Sequence, residues 1–277
     1  MDLKYKFKSL KKTLEAKADR ICELYAIKLR MTAPRAISVR YGFPCTELKW
    51  PMLGLSVAEH AFMMTQMIAA IYMEFLDFFK HKDIPPEMLE SEAAHHDDAE
   101  ALTGDAATDV DGVTRDMKDA AEAKSIDRQY HGMACHYYMK TRHDAYEAKD
   151  SYLSKIVKIL DAIDLIFFAQ YCVCNGVGMI YRQKGTEDGQ KFVLQAFGKM
   201  HDIDKRAYKE IEPYFEGEKR KSVPISEIMY DHSLPRIRAL GQPELTKIFK
   251  LLCARAFQFP FEKYSLEKLP MDFANLT

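Results

Sequence analysis

Apolar residues along this chain recur mostly at intervals of three, four and seven. From about Tyr5 to Met31 the set Leu10, Leu14, Ile21, Leu24, Tyr25 and Leu29 keeps that spacing, which predicts an amphipathic helix. Pro34, Pro44 and Pro51, with Gly42 and Gly54, make the next stretch irregular. Ser56-Val57-Ala58-Glu59 has the S-x-x-E form of a capping box, so a helix should start there and run to about Lys80, with His60 in its first turn. Pro85 and Pro86 can open another helix, which passes through Glu90, Ala94 and His96 and ends near Thr103-Gly104.

A long helical pattern covers about Arg115 to Lys149, with room for a break at Gly132. Its Ile126, Tyr130, Met133 and Tyr137 read as a core or packing face. Asp150-Ser151 caps a strongly apolar helix from Tyr152 to about Cys174, which Asn175-Gly176 closes. The stretch GMIYRQKGTEDGQ reads as a loop. Helical patterns follow over about Lys191–Tyr214 and Glu244–Phe257, joined by a charged, proline-containing connector. There is no strand alternation beyond a few residues, no repeat of 20–50 residues and no low-complexity tract. The expectation is an all-α fold, with a helical core over residues 1–178 and a helical extension packed on it over 179–277.

Composition narrows this picture. At 277 residues, 48% hydrophobic and 29% charged, the chain can bury a substantial core. A formal net charge of -1 provides no broad attraction to nucleic acid or anionic lipid, so a small, individually bound substrate is expected. The six cysteines, at 22, 45, 135, 172, 174 and 253, form no C-x-x-C pair and read as reduced thiols of a cytoplasmic protein. The lysine-rich start, MDLKYKFKSLKKTLEAK, lacks the apolar run of a secretion signal. The most apolar stretches, Ala61–Phe79 and Ile156–Val173, carry too many charges to span a membrane and read as core helices.

The candidate chemistry is concentrated in AAHHDDAEALTGD, Ala93 to Asp105. On one continuous helix, His96 and Glu100 stand four apart and Asp97 and Glu100 three apart, so all three would project from one side. Two further ionisable groups lie on apolar helices. His60 precedes AFMMTQMIAAIYMEF, where it reads either as a metal ligand or as a satisfied helix-end histidine. Asp161 lies in KIVKILDAIDLIFFA, where an aspartate must be paired or bind a cation. Lys158, one turn earlier, could be that pair, and Asp164, one turn later, could face the site in its place.

Three motifs, SVAEH (Ser56–His60), HDDAEALTGD (His96–Asp105) and VKILDA (Val157–Ala162), give the order H…HD…D across separate helices. This resembles the HD-domain metal phosphohydrolases, and within them the 5′-deoxynucleotidase branch, over about Arg35 to Ala169. The resemblance implies one divalent metal held by His60, His96, Asp97 and Asp161; it favours Asp161 over Asp164 through the K-x-x-D spacing after Lys158. Such a mixed nitrogen and oxygen set suits Mn, Co or Fe and is compatible with Zn or Mg. The resemblance also implies that Glu100 orients or deprotonates the attacking water and that Asp105 lies near the leaving 5′-oxygen and sugar. His95 and Asp98, turned about 100° from their neighbours on a helix, are set aside as non-ligands.

Family members carry an Arg followed by an aromatic residue upstream of the first histidine, to meet phosphate or sugar. Arg40-Tyr41 keeps the arginine at a greater distance, whereas Lys49-Trp50-Pro51 keeps the tryptophan with a lysine before it; Arg40 and Trp50 are both candidate substrate contacts. After the glycine-aspartate pair the chain reads AATDVD, without the prolines common in relatives, and Arg115 and Lys118 beyond it read as a solvated helix face. The implied activity is removal of phosphate from a deoxynucleoside 5′-monophosphate by a homodimer. The alternatives are a deoxynucleoside triphosphate hydrolase on the same core and a nucleotide-sensing protein without turnover.

Overall fold

The computed structural model describes residues 11–26, 28, 57–103, 114–184, 190–196, 199–203, 205–216 and 220–264. The capping serine Ser56, both substrate-contact candidates Arg40 and Trp50, Lys49, and the motif residues Gly104 and Asp105 lie outside that set.

The chain is mostly helical, and its organising element is α7 (Tyr152–Cys174), a helix of 23 residues buried on most of its faces. Ser151 starts it by accepting a hydrogen bond from the Ser154 backbone N–H at 2.9 Å. Ile156, Ile159, Ile163, Ile166 and Phe167 leave almost no surface exposed, as expected of a helix apolar around its circumference. Packed on α7 are α2 (Val57–Glu74), α3 (Pro86–His95), α6 (His136–Ala148), α9 (Ile225–Ala239) and α10 (Pro243–Ala256). The first helix, α1 (11–26), presents Tyr25 to α7: its ring meets Phe167 edge-on at 5.2 Å, and its hydroxyl donates to the Asp164 carbonyl at 3.2 Å. Asp19 of α1 accepts two bonds from Arg255 of α10, at 2.8 and 2.7 Å.

The expected long helix of residues 115–149 is two, α5 (Arg115–Tyr130) and α6. Between them Gly132 has a φ of +76°, a left-handed turn that a side chain would strain. Ile126 is buried, but Met133 and Tyr137 are 54% and 82% exposed, so the packing face expected there does not extend past Tyr130.

The C-terminal part departs furthest from expectation. Four strands, β1 (Met179–Lys184), β2 (Gln190–Ala196), β3 (Lys199–Asp202) and β4 (Ser222–Pro224), form an antiparallel sheet in the order β3-β2-β1-β4. The stretch read as a loop therefore supplies β1, and the helix expected from Lys191 to Tyr214 is replaced by β2, β3 and the one-turn helix α8 (Tyr208–Ile211). Ile180, Phe192, Leu194 and Val223 turn one sheet face into the common core, where Phe192 meets Tyr208 and Phe215. Arg182, Gln183 and Lys184, towards the end of β1, are exposed. With no strand placing more than two of its residues in this core, the period-two signal is too short to read locally, and cross-strand pairing decides the conformation. The expected connector also holds a helix, α9, which contains Pro235. No helix among the described residues is long and apolar enough to cross a membrane.

Candidate metal centre

Three helices bring the expected donors together. His60 lies in the first turn of α2, His96 and Asp97 follow the end of α3, and Asp161 projects from the middle of α7. Nε2 of His60 is 3.3 Å from Nε2 of His96, 3.6 Å from Oδ2 of Asp97 and 3.3 Å from Oδ1 of Asp161. Nε2 of His96 is 3.0 Å from Oδ2 of Asp97. Donor atoms of His60, His96 and Asp97 all lie within 4.8 Å of one another, and Asp161 joins them on the His60 side.

The helix expected to run unbroken to Thr103 stops at His95. Residues 96–99 form a tight turn with i→i+3 bonds from Asp98 N–H to His95 C=O and from Glu100 N–H to Asp97 C=O, and α4 (Glu100–Thr103) follows. Aspartate favours side-chain bonds over a helix interior, and Asp98 accepts them from His95 and Tyr130 while Gln129 donates to its carbonyl. The turn, rather than helical spacing, therefore sets how His96, Asp97 and Glu100 stand to one another.

Both imidazoles are held by their far nitrogen. Nδ1 of His96 donates to the Ala93 carbonyl at 2.7 Å, and Nδ1 of His60 donates to Oδ2 of Asp164 at 2.7 Å. Each bond leaves Nε2 as the atom that can offer a lone pair to the cluster. The choice between Asp161 and Asp164 thus has two answers: Asp161 faces the donor atoms, and Asp164, only 3% exposed, orients His60 from behind. The expected Lys158 pair is present as well, with Nζ 2.5 Å from Oδ2 of Asp161, so one carboxylate serves both neighbours.

Electrostatics show what the cluster requires. Burial opposes charge on His60, but its hydrogen bonds to Asp161 and Asp164 outweigh that and hold it well above the ordinary histidine value. His96 is raised likewise against its burial, mainly by Asp97. Burial alone would raise both carboxyls; the charge of His96 lowers Asp97, and Lys158 with His60 holds Asp161 well below the ordinary range. Two partly buried carboxylates beside two imidazoles call for positive charge, which either protons on the rings or one divalent cation can supply. The separations of 3.0–3.6 Å from His60 to the other three donors and from His96 to Asp97 fit a divalent ion, since ligands about 2.1 Å from one metal at right angles stand about 3 Å apart.

Glu100 opens α4, and its Oε1 lies 3.2 Å from Nζ of Lys118, a residue read in sequence as solvated. That side chain is 16% exposed and also meets Glu122 at 3.4 Å. His95 pairs with Asp98 at 2.8 Å, away from the donor cluster. Sequence reading carried Asp164 only as a rival to Asp161 and missed Lys118 as a partner of Glu100. The signals were present: Asp164 is the second aspartate on one face of a buried helix, and Lys118 starts a polar row at four- and three-residue intervals along α5.

No match was found among curated proteins or among solved structures. A family model described as HD domain matches residues 50–198, more than half of the chain, and that span contains all four donors, Glu100 and the first two strands. Together with an H…HD…D set gathered from three helices, this match shows that the chain belongs to the HD domain family.

Proposed function

We propose that this chain is a metal-dependent phosphohydrolase that removes the 5′-phosphate from deoxynucleoside 5′-monophosphates. HD domains are typically metal-dependent hydrolases of phosphate esters; the narrower substrate comes from the HDDAEALTGD motif and its resemblance to the 5′-deoxynucleotidase branch. The observation that carries the reading is the convergence of His60, His96, Asp97 and Asp161, with both imidazoles locked by Asp164 and the Ala93 carbonyl.

In this reading those four side chains hold one divalent ion, with Mn, Co or Fe favoured by the mixed donors. Such an ion, when bound, acidifies a water and offsets charge on a phosphoryl oxygen. The protein's own groups do the rest. Asp164 keeps the His60 ring in one orientation, and Lys158 balances the Asp161 oxygen that faces away from His60. Glu100 accepts a hydrogen bond from the attacking water and aims its oxygen at phosphorus. An O–P bond forms, the bond from phosphorus to the sugar 5′-oxygen breaks, and the released sugar oxygen takes up a proton, a contact the motif gives to Asp105. Arg40 or Trp50 would meet the nucleotide.

The test is phosphate release by the full chain, supplied with Mn or Co, across deoxynucleoside mono- and triphosphates with products separated by chromatography. Nucleoside and inorganic phosphate from monophosphates are expected. Triphosphate or pyrophosphate released from triphosphates alone would replace this substrate class with the related one. Bound metal with no turnover of any deoxynucleotide would replace hydrolysis with sensing.

A further inference from the structure

We propose that Lys118 is a positioning residue, the link through which α5 holds the Glu100 carboxylate in its working place; this rests on the water-orienting role given to Glu100 above. Glu100 belongs to α4, a helix of only four residues entered through a tight turn. One isolated helical turn has little stability of its own, so something outside must fix this side chain. The neighbour able to do so is α5, sixteen residues long and capped by Thr114, whose side chain accepts from the Met117 N–H at 3.2 Å.

Lys118, Glu122, Ser125 and Gln129 follow one another along α5 at steps of four, three and four, which places them on one face. That face is bonded to the catalytic turn along its length. Ser125 Oγ donates to the Ala99 carbonyl at 2.5 Å, and Gln129 Nε2 donates to the Asp98 carbonyl at 2.8 Å. Tyr130 donates its hydroxyl proton to Oδ2 of Asp98, also at 2.8 Å. These three bonds hold Asp98 and Ala99, and none of them reaches Glu100. Lys118 instead reaches the carboxylate of Glu100, at 3.2 Å, and that of Glu122, at 3.4 Å.

The three charged side chains are 9%, 16% and 7% exposed for Glu100, Lys118 and Glu122, so this is no solvated surface pair. An ammonium has three donors and here serves both carboxylates at once. Its contact limits the rotamers of Glu100, as a carboxylate that accepts a hydrogen bond from a water and directs it requires.

The experiment compares Lys118→Met and Lys118→Arg with the wild-type chain, metal-loaded, for kcat, KM, metal content and hydrogen–deuterium exchange of the 98–103 backbone. Lys118→Met should lower kcat about a hundredfold, the usual consequence of misplacing a positioned group by about 1 Å. KM should stay within about threefold, metal content should not change, and the 98–103 amides should exchange faster. Lys118→Arg should recover most of the rate and the protection. Unchanged kcat and exchange in Lys118→Met would overturn the proposal. So would parallel loss of rate, metal and folding in both variants, because Lys118 would then be a general structural prop. Should Lys118→Met not fold, Lys118→Gln takes its place. Absence of turnover in the wild type defeats the phosphohydrolase reading, and the exchange comparison still decides whether Lys118 holds the Glu100 turn.

Discussion

His60, His96 and Asp97, gathered by α2 and the turn after α3, and Asp119, Glu122 and Glu147, gathered by α5 and α6, each bring three donor atoms within 4.8 Å of one another. Their surroundings differ. In the first group both ring nitrogens that face away from the cluster are engaged, by Asp164 and by the Ala93 carbonyl, so the nitrogens facing inward are selected for coordination. The second group is made of carboxylates alone and is interleaved with ammonium groups: Lys118 stands 3.4 Å from Glu122 and Lys149 3.9 Å from Glu147. The charge of Glu122 and Glu147 is met by side chains that cannot leave. In the first group, the protons on two imidazoles meet the carboxylate charge, and a cation can displace them. Convergence of donors is therefore a weak criterion; what separates the groups is whether the surrounding protein prepares the donors or neutralises them.

The largest effect that would sharpen this contrast comes from the donors themselves. Asp97→Ala should strip the metal and lower turnover on the order of a thousandfold or more, whereas Glu100→Ala should lose turnover comparably with metal content near wild type. Metal analysis beside the phosphate assay separates the two variants, and full turnover in Glu100→Ala would remove its water-orienting role. Next in size, Asp164→Asn should weaken metal binding about 10- to 100-fold, read by titration with Mn or Co, because it alters the bond that sets the His60 ring. Affinity unchanged by that substitution would make Asp164 a bystander.

A smaller effect lies in the pH dependence. His60 and His96 are raised above 6.5 in the folded chain, so the stability they contribute is fully present below the unfolded value of about 6.5. It is lost as pH rises through their elevated folded values. Asp97 and Asp161 are lowered, and their contribution is lost on the acid side, as pH falls from about 3.8 through their folded values. Chelator-treated protein should therefore melt at progressively lower temperature above about pH 6.5, while the gain in Tm on adding metal grows with pH. A Tm flat from pH 6 to 9 with and without metal would contradict the proton-for-cation exchange. The smallest effect is expected at the carboxylate group: Glu147→Gln should leave metal stoichiometry unchanged and shift Tm by no more than about 4 °C, since its pair with Lys149 is partly exposed. A lost equivalent of metal in that variant would erase the distinction between the two groups.

The sites differ in how far they could be read from sequence. The residue pattern singled out His60 and Asp161 as ionisable groups on apolar helices but left their roles open, and the resemblance carried by SVAEH, HDDAEALTGD and VKILDA is what joined them to His96 and Asp97 as one candidate set. The double use of Asp161, which meets His60 with one oxygen and Lys158 with the other, was not readable, because sequence spacing ranks alternatives and does not show when both are satisfied. Lys118 was misread for a related reason. A lysine on a mostly polar helix looks solvated until the turn at Asp98–Glu100 is placed against it.

By itself the sequence determined the helices. Period 3.6 patterning, the Ser151 cap and the glycine stops at 132 and 176 are local physics, and α5, α6, α7 and α10 appear where that physics puts them, whereas α2 stops at Glu74, short of the expected Lys80. Tertiary structure decided what depends on distant residues: the pairing that makes four short strands out of residues 179–224, and the break that turns α3 into His96-Asp97. It also decided which face of each charged side chain meets another. A hydrogen bond or ion pair between residues 18 or 104 positions apart has no local signature, because its energy exists only after the core has packed. The candidate donors could therefore be named from the chain and its family resemblance, whereas the orientation of the two imidazoles, through Asp164 and Ala93, belongs to the fold.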